Sequence, residues 1–475
     1  MNNRKQQTKQ SLKKKHRIVF FLVLGILVLI ASAAGLILRH FFPVKISQDE
    51  MMLYVGYSEQ LSVEHTIRNV TWSSADPDVA SVGEDGSVTA LSKGETVVTA
   101  KVGKKTFTCD VTVHPSQSAY YLNFEESEAD WIASLQLDNG SFSCYDLTGQ
   151  SSARVNPYFG CYCTLALMAA DHSKEREESV RSFLDWYIAH MNTAAEDQGG
   201  VDGTIYDYTA SLDGKGHVIS ESTNRTYDSM DSYAALFLIA ADCYYDTYGD
   251  GDYLASSKDA LDRAISVIDH RMRSGENFSS ASTSYTFELL MNNCEVYRGL
   301  VDAQSLYGKL FPEDSEQASL LARDLGVFEQ RFEDTWWDDS TGSYKTILEH
   351  DDSDYTSEKL GWSYLYRYAV PQLFPVICGM EECTSSDHMQ SVYKQFCDHY
   401  PDWTSLNYGV RLLDTSIWSA VCCAASLLGD YASVHSYLES YQQHVTHAYP
   451  FYSGDSVWMV LAAENARQHY VCLQE

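Results

Sequence analysis

The chain has few positively charged residues for its length. Its 475 residues include 34 Lys and Arg against 65 Asp and Glu, which gives a net charge of −31. Eight of the cations lie within the first 39 residues, so the remainder holds 26 cations against 65 anions, a net charge of −39. Such an acidic body repels phosphate backbones, which argues against binding to nucleic acids.

Several chemical signatures are also missing. The sequence contains no CxxC pair, no Walker loop, no GxGxxG dinucleotide turn and no HExxH motif. We therefore expect neither a cofactor nor a metal ion. The acidic stretch that starts at Asp246 has Gly251 at the sixth position of a calcium loop, but Ser257 at the twelfth, where an EF-hand needs Glu. We interpret this stretch as a solvent-exposed turn.

No charge interrupts residues 18–38, IVFFLVLGILVLIASAAGLIL. At 1.5 Å per residue this run spans a hydrocarbon core of about 30 Å. Lys and Arg precede it, so the positive-inside rule predicts that residues 1–17 are a cytoplasmic tail, residues 18–39 a single-pass signal anchor in the cell membrane, and the large remainder extracytoplasmic. A cleaved signal peptide is the alternative, because residues 31–34 are small, but the apolar run is longer than a signal peptide needs.

Residues 44–115 change to short alternating runs of β-favouring residues separated by turn signals such as Asp76-Pro77 and Asp85-Gly86. This pattern predicts a small β-sandwich. Within it, VTWSSADPDVASV at 70–82 and DGSVTALSKGET at 85–96 resemble the bacterial Ig-like domain, group 2. The resemblance implies a surface spacer or an adhesive module rather than an enzyme, and we favour the spacer.

From residue 119 to residue 475 the apolar residues recur at helical spacing. The predicted helices lie near 124–136, 155–170, 174–191, 227–248, 252–272, 284–309, 314–336, 356–379, 386–399, 411–429, 431–446 and 452–468. Twelve helices can form six hairpins, with an inner ring of six inside an outer ring of six.

Four phrases of this helical region resemble recurrent phrases of the six-hairpin glycosidase superfamily. They are DSMDSYAA at 228–235, NNCEVYRGL at 292–300, PQLFPV at 371–376 and YPFYSGDSVW at 449–458. The first is also distantly similar to the acidic helix-start motif of glycoside hydrolase family 8. The resemblance implies a mainly α fold, an (α/α)6 toroid at residues 119–475. It says less about the reaction, because one fold hosts many chemistries.

Glycoside hydrolysis normally needs one protonated and one ionised carboxyl group. Asp228 and Asp231 open a predicted helix, where the helix dipole favours an ionised base. The alternative is that they only cap the helix. Glu295 lies on an apolar helical stretch, where burial would raise its pKa as a general acid requires. The alternative for Glu295 is a structural ion pair with Arg298.

Other candidates are substrate-binding residues. Arg154, Asn156 and Tyr158 precede a helix, and such a trio could also neutralise a uronate and abstract a proton, which leaves a polysaccharide lyase open. Further aromatic candidates for stacking on sugar rings are Tyr206, Trp337 and Trp362. Asn292 occupies a position that is often acidic in the similar phrases, which bears against full hydrolytic competence.

These observations predict a monomeric, membrane-anchored glycoside hydrolase that acts outside the cytoplasm on a cell-surface or exported polysaccharide. A non-catalytic glycan-binding protein and a polysaccharide lyase are the alternatives. An extracytoplasmic location permits disulfides, and Cys378 with Cys383 is the one local pair that the spacing suggests among the twelve cysteines.

Overall fold

The computed structural model of the chain describes residues 43–283, 287–348, 361–406, 415–448 and 451–472. The described residues form two compact units, which divide between Tyr120 and Tyr121. The predicted tail and membrane anchor lie outside the described residues. Within the described ranges, none of the helices combines the length and apolar character that crossing a bilayer requires.

The N-terminal unit is built from strands, nine of them among its described residues. They are β1 (Lys45–Ile46), β2 (Glu50–Tyr54), β3 (Ser58–Gln60), β4 (Val63–Glu64), β5 (Thr71–Ser74), β6 (Ala80–Val82), β7 (Ser87–Ala90), β8 (Gly94–Val102) and β9 (Lys105–His114). One sheet has the order β2-β9-β8-β5 and a second has the order β3-β7-β6, while β1 pairs with β4. The β2–β9 pair is parallel, and the other pairs are antiparallel.

Both sheets contribute to one hydrophobic core. Val88 of β7 and Val98 of β8 are fully buried, as is Leu61 in the connection between β3 and β4. Gly86 sits in the turn before β7 with φ +89°, and a Cβ there would lie 2.4 Å from the carbonyl oxygen of Leu61. Only glycine fits such a turn without strain. The predicted β-rich Ig-like region is confirmed.

The rest of the described chain is mainly helical. Its α-helices are α1 (Gln117–Ser134), α2 (Pro157–Ala170), α3 (Lys174–Ala189), α4 (Met230–Tyr248), α5 (Gly251–Ser256), α6 (Lys258–Arg271), α7 (Leu290–Leu310), α8 (Ser315–Trp336), α9 (Phe374–Ile377), α10 (Ser386–His399), α11 (Thr415–Leu427), α12 (Tyr431–His444) and α13 (Ser453–Cys472). The predicted mainly α character of this region is confirmed.

Six of these helices contact one another in a closed series. Helix α2 packs against α4, α4 against α7, α7 against α9, α9 against α11, α11 against α13, and α13 returns to α2. Helices α3, α6, α8 and α12 pack outside α2, α4, α7 and α11, respectively. The members of the closed series are mostly apolar on several faces because they are covered on both sides.

Helices α4 and α7 come close together at Gly299. A Cβ at Gly299 would lie 2.7 Å from the Cα of Ala235 and 2.8 Å from its Cβ. The pair of small residues therefore allows the two backbones to lie close together, at the middle of α7 and the second turn of α4.

Two predicted helices differ from those observed. The stretch predicted at 356–379 is one helix in the sequence analysis, but its described part is a π-helical turn (Leu365–Ala369), a 3-10 turn (Pro371–Leu373) and the four-residue α9. Pro371 and Pro375 lack the backbone N–H that a continuous helix needs, so the chain bends here. The stretch predicted at 252–272 is divided at Ser257 into α5 and α6.

Short strands lie between the helices. They are β10 (Ser152–Val155), β11 (Tyr208–Leu212), β12 (Val218–Ser222), β13 (Glu288–Leu289), β14 (Trp337–Asp338), β15 (Ser343–Tyr344) and β16 (Ile347–Leu348). Strands β10, β11 and β12 form one antiparallel sheet in that order. All twelve cysteines of the chain are unpaired, so the suggested bond between Cys378 and Cys383 is wrong. Most of them are buried among helices and act as small apolar side chains.

Candidate active site

A cavity of about 170 Å³ opens at the starts of the helices in the closed series. We refer to it as the Glu295 cavity. Its aromatic wall consists of Tyr158, Phe159, Tyr233, Tyr366, Phe374 and Trp458. Asp228 and Glu295 are its carboxylic residues, and Asn156 and Asn292 contribute amides. The first turns of α2, α4 and α7 supply most of this lining, which is why residues far apart in sequence meet here.

Glu295 is held in a buried position by two phenols of α2. Oε1 of Glu295 accepts hydrogen bonds from the hydroxyls of Tyr158, at 2.6 Å, and Tyr162, at 3.0 Å. Burial raises the pKa of Glu295 from 4.5 to about 7, the hydroxyls of Ser232, Tyr158 and Tyr162 oppose this rise, and the charge of Asp231 adds to it. Burial of Glu295, which the apolar helical pattern predicts, is the main cause of the raised pKa.

The other oxygen of Glu295 is left available. Oε2 is buried and makes no hydrogen bond of acceptable geometry within the described ranges. Arg298, which the sequence offered as a structural partner, instead donates from Nε to Oδ2 of Asp302 at 2.8 Å. The alternative in which Arg298 holds Glu295 ionised is therefore wrong. A carboxyl with one anchored oxygen and one unbonded oxygen can present a proton to a ligand.

Asp228 lines the same cavity from the connection that precedes α4. Its side chain is exposed, and its carboxylate makes no hydrogen bond with any residue that the structure describes. Ser229 takes the N-cap position, so Asp228 lies one residue before the cap and does not serve as the capping residue. The phenol of Tyr366 is near both carboxyls: burial raises its pKa, and the charges of Asp228 and Glu295 raise it further.

Asp231 does not line the cavity. Its side chain is fully buried, and it accepts hydrogen bonds from the backbone N–H of Ser232 at 2.9 Å and the hydroxyl of Ser279 at 2.8 Å. The Ser229 hydroxyl, at 2.5 Å, and the amide of Asn292, at 3.4 Å, also donate hydrogen bonds to the Asp231 carboxylate. We therefore correct the sequence-based assignment of Asp231 as the cavity base, because burial and four donors engage its carboxylate inside the fold.

Asn292 ties the starts of α4 and α7 together. Its Nδ2 donates to Oγ of Ser229 at 2.6 Å and to Oδ1 of Asp231 at 3.4 Å. Ser229 and Asn292 both line the cavity. Similar phrases often have an acidic residue at this position. The amide of Asn292 has a positioning role, because it donates hydrogen bonds that a carboxylate could not supply.

A second polar network joins α2 to α4 through a residue that the sequence analysis did not select. Asn156 caps α2 through Oδ1, which accepts from the backbone N–H of Phe159 at 3.2 Å. Its Nδ2 donates to Oδ1 of Asp207 at 3.0 Å and to the hydroxyl of Tyr233 at 2.9 Å, and the Tyr233 hydroxyl donates to Asp207 at 2.9 Å. Burial raises the pKa of Asp207, while the Tyr233 hydroxyl lowers it.

Arg154 and Tyr206 are not part of the Glu295 cavity. Arg154 lines a separate polar pocket with Asp207, so the trio proposed from sequence is divided, with Asn156 and Tyr158 on one side and Arg154 on the other. Tyr206 is buried and stacks on Tyr227 with a centroid distance of 5.5 Å. The sequence-based placement of Tyr206 as a sugar platform is therefore corrected, because its ring faces another ring.

Trp337 and Trp362 also lie apart from this cavity. Trp337 stacks on His388 with a centroid distance of 3.6 Å, and its indole N–H donates to Asp339 at 3.0 Å. Trp362 stacks on His399 with a centroid distance of 5.1 Å. Their prediction as residues of the cleft is corrected, since histidines of α10 occupy their faces. Trp458, which is not among the aromatic candidates chosen from the sequence, lines the cavity instead.

The described part of the chain contains no cluster of three or more His, Cys, Asp or Glu side chains that could hold a metal ion.

Comparison with known proteins gives the following similarities. Residues 40–113 match the bacterial Ig-like domain (group 2) family. No curated protein matches the chain. Among solved structures, it is similar to one described as "Glycosidase Wild Type" at 10% identity, covering 74% of this chain and 98% of that one with a TM-score of 0.47.

Two further solved structures are a rhamnosidase from Klebsiella oxytoca with rhamnose bound and a polysaccharide lyase. The rhamnosidase is 13% identical, with 88% of each chain covered and a TM-score of 0.49. The lyase is 12% identical, with 91% of this chain and 65% of that chain covered and a TM-score of 0.47. The family match assigns the strand-rich N-terminal unit: it contains a bacterial Ig-like domain of group 2.

Proposed function

We propose that the helical unit is an (α/α)6 toroid that hydrolyses glycosidic bonds, with Glu295 as the general acid and Asp228 as the ionised carboxylate. The observation that carries this proposal is the contrast between two carboxyls lining one cavity. Glu295 is buried and its pKa is raised to about 7, whereas Asp228 is exposed and its carboxylate makes no hydrogen bond in the described ranges. Glycosidases use such pairs, with environments that separate the two pKa values.

Each carboxyl has a distinct part in the reaction. Glu295 donates its proton to the oxygen of the departing sugar, so the glycosidic C–O bond breaks without release of an alkoxide. Asp228 either takes a proton from the attacking water or attacks the anomeric carbon itself. Tyr158 and Tyr162 hold Oε1 of Glu295 in place, which leaves the proton to be carried on Oε2.

The walls of the cavity suit a sugar. Tyr366 and Trp458 line the cavity with aromatic rings, a residue type that packs against the C–H face of a pyranose, and Asn156 and Asn292 line it with amides. The volume of about 170 Å³ is small beside the roughly 300–1,000 Å³ of typical small-molecule sites. A single sugar ring is the unit that this space would take.

The lyase alternative is less well supported by the same residues. A lyase needs a base to remove a proton and a cation to neutralise the uronate. Burial raises the pKa of Tyr158 well above its usual range, and Glu295 raises it further, so this phenol is a poor base. None of the described residues that line the cavity is Lys or Arg.

The whole protein would then be a membrane-anchored, extracytoplasmic enzyme, with residues 18–38 as the anchor and the Ig-like domain as a spacer. Its substrate would be a cell-surface or exported polysaccharide, and it would act as a monomer. The apolar run of residues 18–38 and the basic residues before it support this placement.

Hydrolysis of a glycan panel by the full chain, followed by variants of both carboxyls, tests the proposal. Asp228→Asn should lower turnover by about 10²–10⁴-fold on all substrates. Glu295→Gln should lower it similarly on oligosaccharides but much less on aryl glycosides with a good leaving group, which needs no proton. Asp252→Asn, at an exposed helix start, and Glu125→Gln, at another buried Glu, are matched controls that should keep full activity.

Two results would contradict the proposal. Glycan binding without hydrolysis, unchanged in both variants, would indicate a non-catalytic binding protein. Release of an unsaturated sugar, detected by its ultraviolet absorbance, would indicate a lyase instead.

A further inference from the structure

A polar pocket lies next to the Glu295 cavity and has no role in the proposed reaction. Its volume is about 280 Å³. Its lining is Arg154, Asp207, Tyr208, Thr209, Ser222, Thr223, Asn224 and Thr226. Every one of these eight residues carries a hydroxyl, amide or charged group, whereas aromatic rings form much of the wall of the Glu295 cavity.

The pocket is built on one face of the sheet formed by β10, β11 and β12. Arg154 pairs in register with Thr209, and Thr209 pairs with Ser222. Side chains in register on neighbouring strands share one face, so these three form a polar row across the sheet. All three are exposed, while Ala153 and Ala210, which point to the other face, are buried.

The two key charged groups of the pocket retain free capacity for hydrogen bonds. The guanidinium of Arg154 makes neither a hydrogen bond nor an ion pair with any described residue. Asp207 accepts from Asn156 and Tyr233 through Oδ1 alone, and its Oδ2 has no bond in the part of the chain that the structure describes. One donor group and one acceptor group thus stand in the same pocket.

Asp207 also connects the pocket to the Glu295 cavity. Asn156 and Tyr233, which donate to Asp207 at 3.0 and 2.9 Å, both line that cavity. Only one layer of hydrogen-bonded side chains therefore separates the two spaces, and a ligand that passes over this layer would place adjacent sugar units in both.

We propose that this polar pocket is a second sugar subsite, in which Arg154 and Asp207 bind hydroxyl groups of the residue next to the one in the Glu295 cavity. The ligand class is an uncharged, hydroxyl-rich sugar ring, because a donor with an adjacent acceptor matches vicinal hydroxyls. The inference rests on the proposed function, and it adds that the substrate has at least two sugar units.

Substrate length provides the test. The full chain and its Arg154→Ala variant are compared on an aryl monoglycoside, which has no second sugar unit for the polar pocket, and on an oligosaccharide cleaved by the wild type. Loss of hydrogen bonds from a charged donor should lower kcat/KM for the oligosaccharide about tenfold or more, mainly through KM, and leave the aryl glycoside unchanged. Lys215→Ala, which removes a cation from the β11–β12 turn outside the pocket, is the control and should change neither value.

A second pair of variants addresses the sheet itself. Ser222→Ala removes a hydroxyl from the pocket, and Ser220→Ala makes the same change on the same exposed strand outside it. Only the first should weaken oligosaccharide turnover. Both proteins should have wild-type circular dichroism, since neither position is buried.

The outcomes separate this inference from the function on which it rests. If hydrolysis depends on Glu295 but Arg154→Ala affects short and long substrates equally, or neither, the subsite is refuted and the function stands. If the protein neither cleaves nor binds any glycan, the proposed function fails and the subsite fails with it.

Discussion

Replacement of Glu295 by Gln should slow the hydrolysis of oligosaccharides and at the same time stabilise the protein at alkaline pH. In the folded state the pKa of Glu295 is raised from its ordinary value of 4.5 to about 7, mainly by burial. The folded state therefore binds this proton more tightly than the unfolded chain does. The stability gained from this tighter proton binding is complete below pH 4.5. It is lost as the pH rises through about 7.

The size of this change in stability follows from the shift in the pKa of Glu295. Each pKa unit corresponds to about 1.4 kcal/mol, so the rise from 4.5 to about 7 is worth about 3 kcal/mol. Gln is neutral at every pH, and its oxygen can still accept the hydrogen bonds of Tyr158 and Tyr162. The free energy of unfolding of Glu295→Gln should thus equal that of the wild type below pH 4.5. Above pH 7 it should exceed the wild-type value by up to about 3 kcal/mol.

Urea unfolding followed by far-ultraviolet circular dichroism, at about pH 5 and about pH 8.5, measures the difference directly. Other groups titrate in both proteins alike, so their contributions cancel in the comparison. Glu125→Gln is the control: burial also raises the pKa of Glu125, to about 8, so it should show a similar pH dependence with full activity. A difference between Glu295→Gln and the wild type that does not change with pH would refute the assignment of Glu295 as a protonated acid.

Three further predictions concern packing and placement. Asp231→Ala leaves several buried donors without an acceptor and should lower the free energy of unfolding by about 3 kcal/mol in urea titrations; an unchanged midpoint would contradict its structural role. Gly299→Ala pushes a methyl group against Ala235 and should cost about 2 kcal/mol, whereas Gly308→Ala on the same helix has open space and should stabilise by about 0.5–1 kcal/mol. Protease added to intact spheroplasts should degrade residues 40–475, and protection of this region would refute the proposed topology.

The pattern of apolar residues was sufficient to predict the environment of Glu295. Helical spacing around it indicated a buried face, and burial in a helix is a local property that the sequence period encodes. The same reasoning failed for the stretch at 356–379, where the spacing is helical but Pro371 and Pro375 interrupt the backbone hydrogen bonds. Periodicity reports which residues face the core, and proline decides whether the helix can continue.

The placement of the tryptophans could not be predicted in this way. Trp337 precedes Asp338 and Trp362 follows Gly361, and such neighbours report only the local exposure of a ring. Which part of the unit a side chain reaches depends instead on the packing of distant helices. Both rings meet histidines of α10, whereas Trp458 reaches the cavity because α13 packs against α2 and its second turn lies beside Tyr162.

The choice between Asp228 and Asp231 depends on packing between elements that are distant in sequence. The two residues lie three positions apart at a helix start, and from the sequence both could act as bases or as caps. Ser279 comes from the segment before α7, and Asn292 comes from α7 itself. Their hydrogen bonds occupy the carboxylate of Asp231, which therefore holds the starts of α4 and α7 together. Asp228, one residue before the cap, remains beside the cavity. The helix that Asp231 fixes in place therefore positions the neighbouring carboxylate, which is why we assign the base to Asp228.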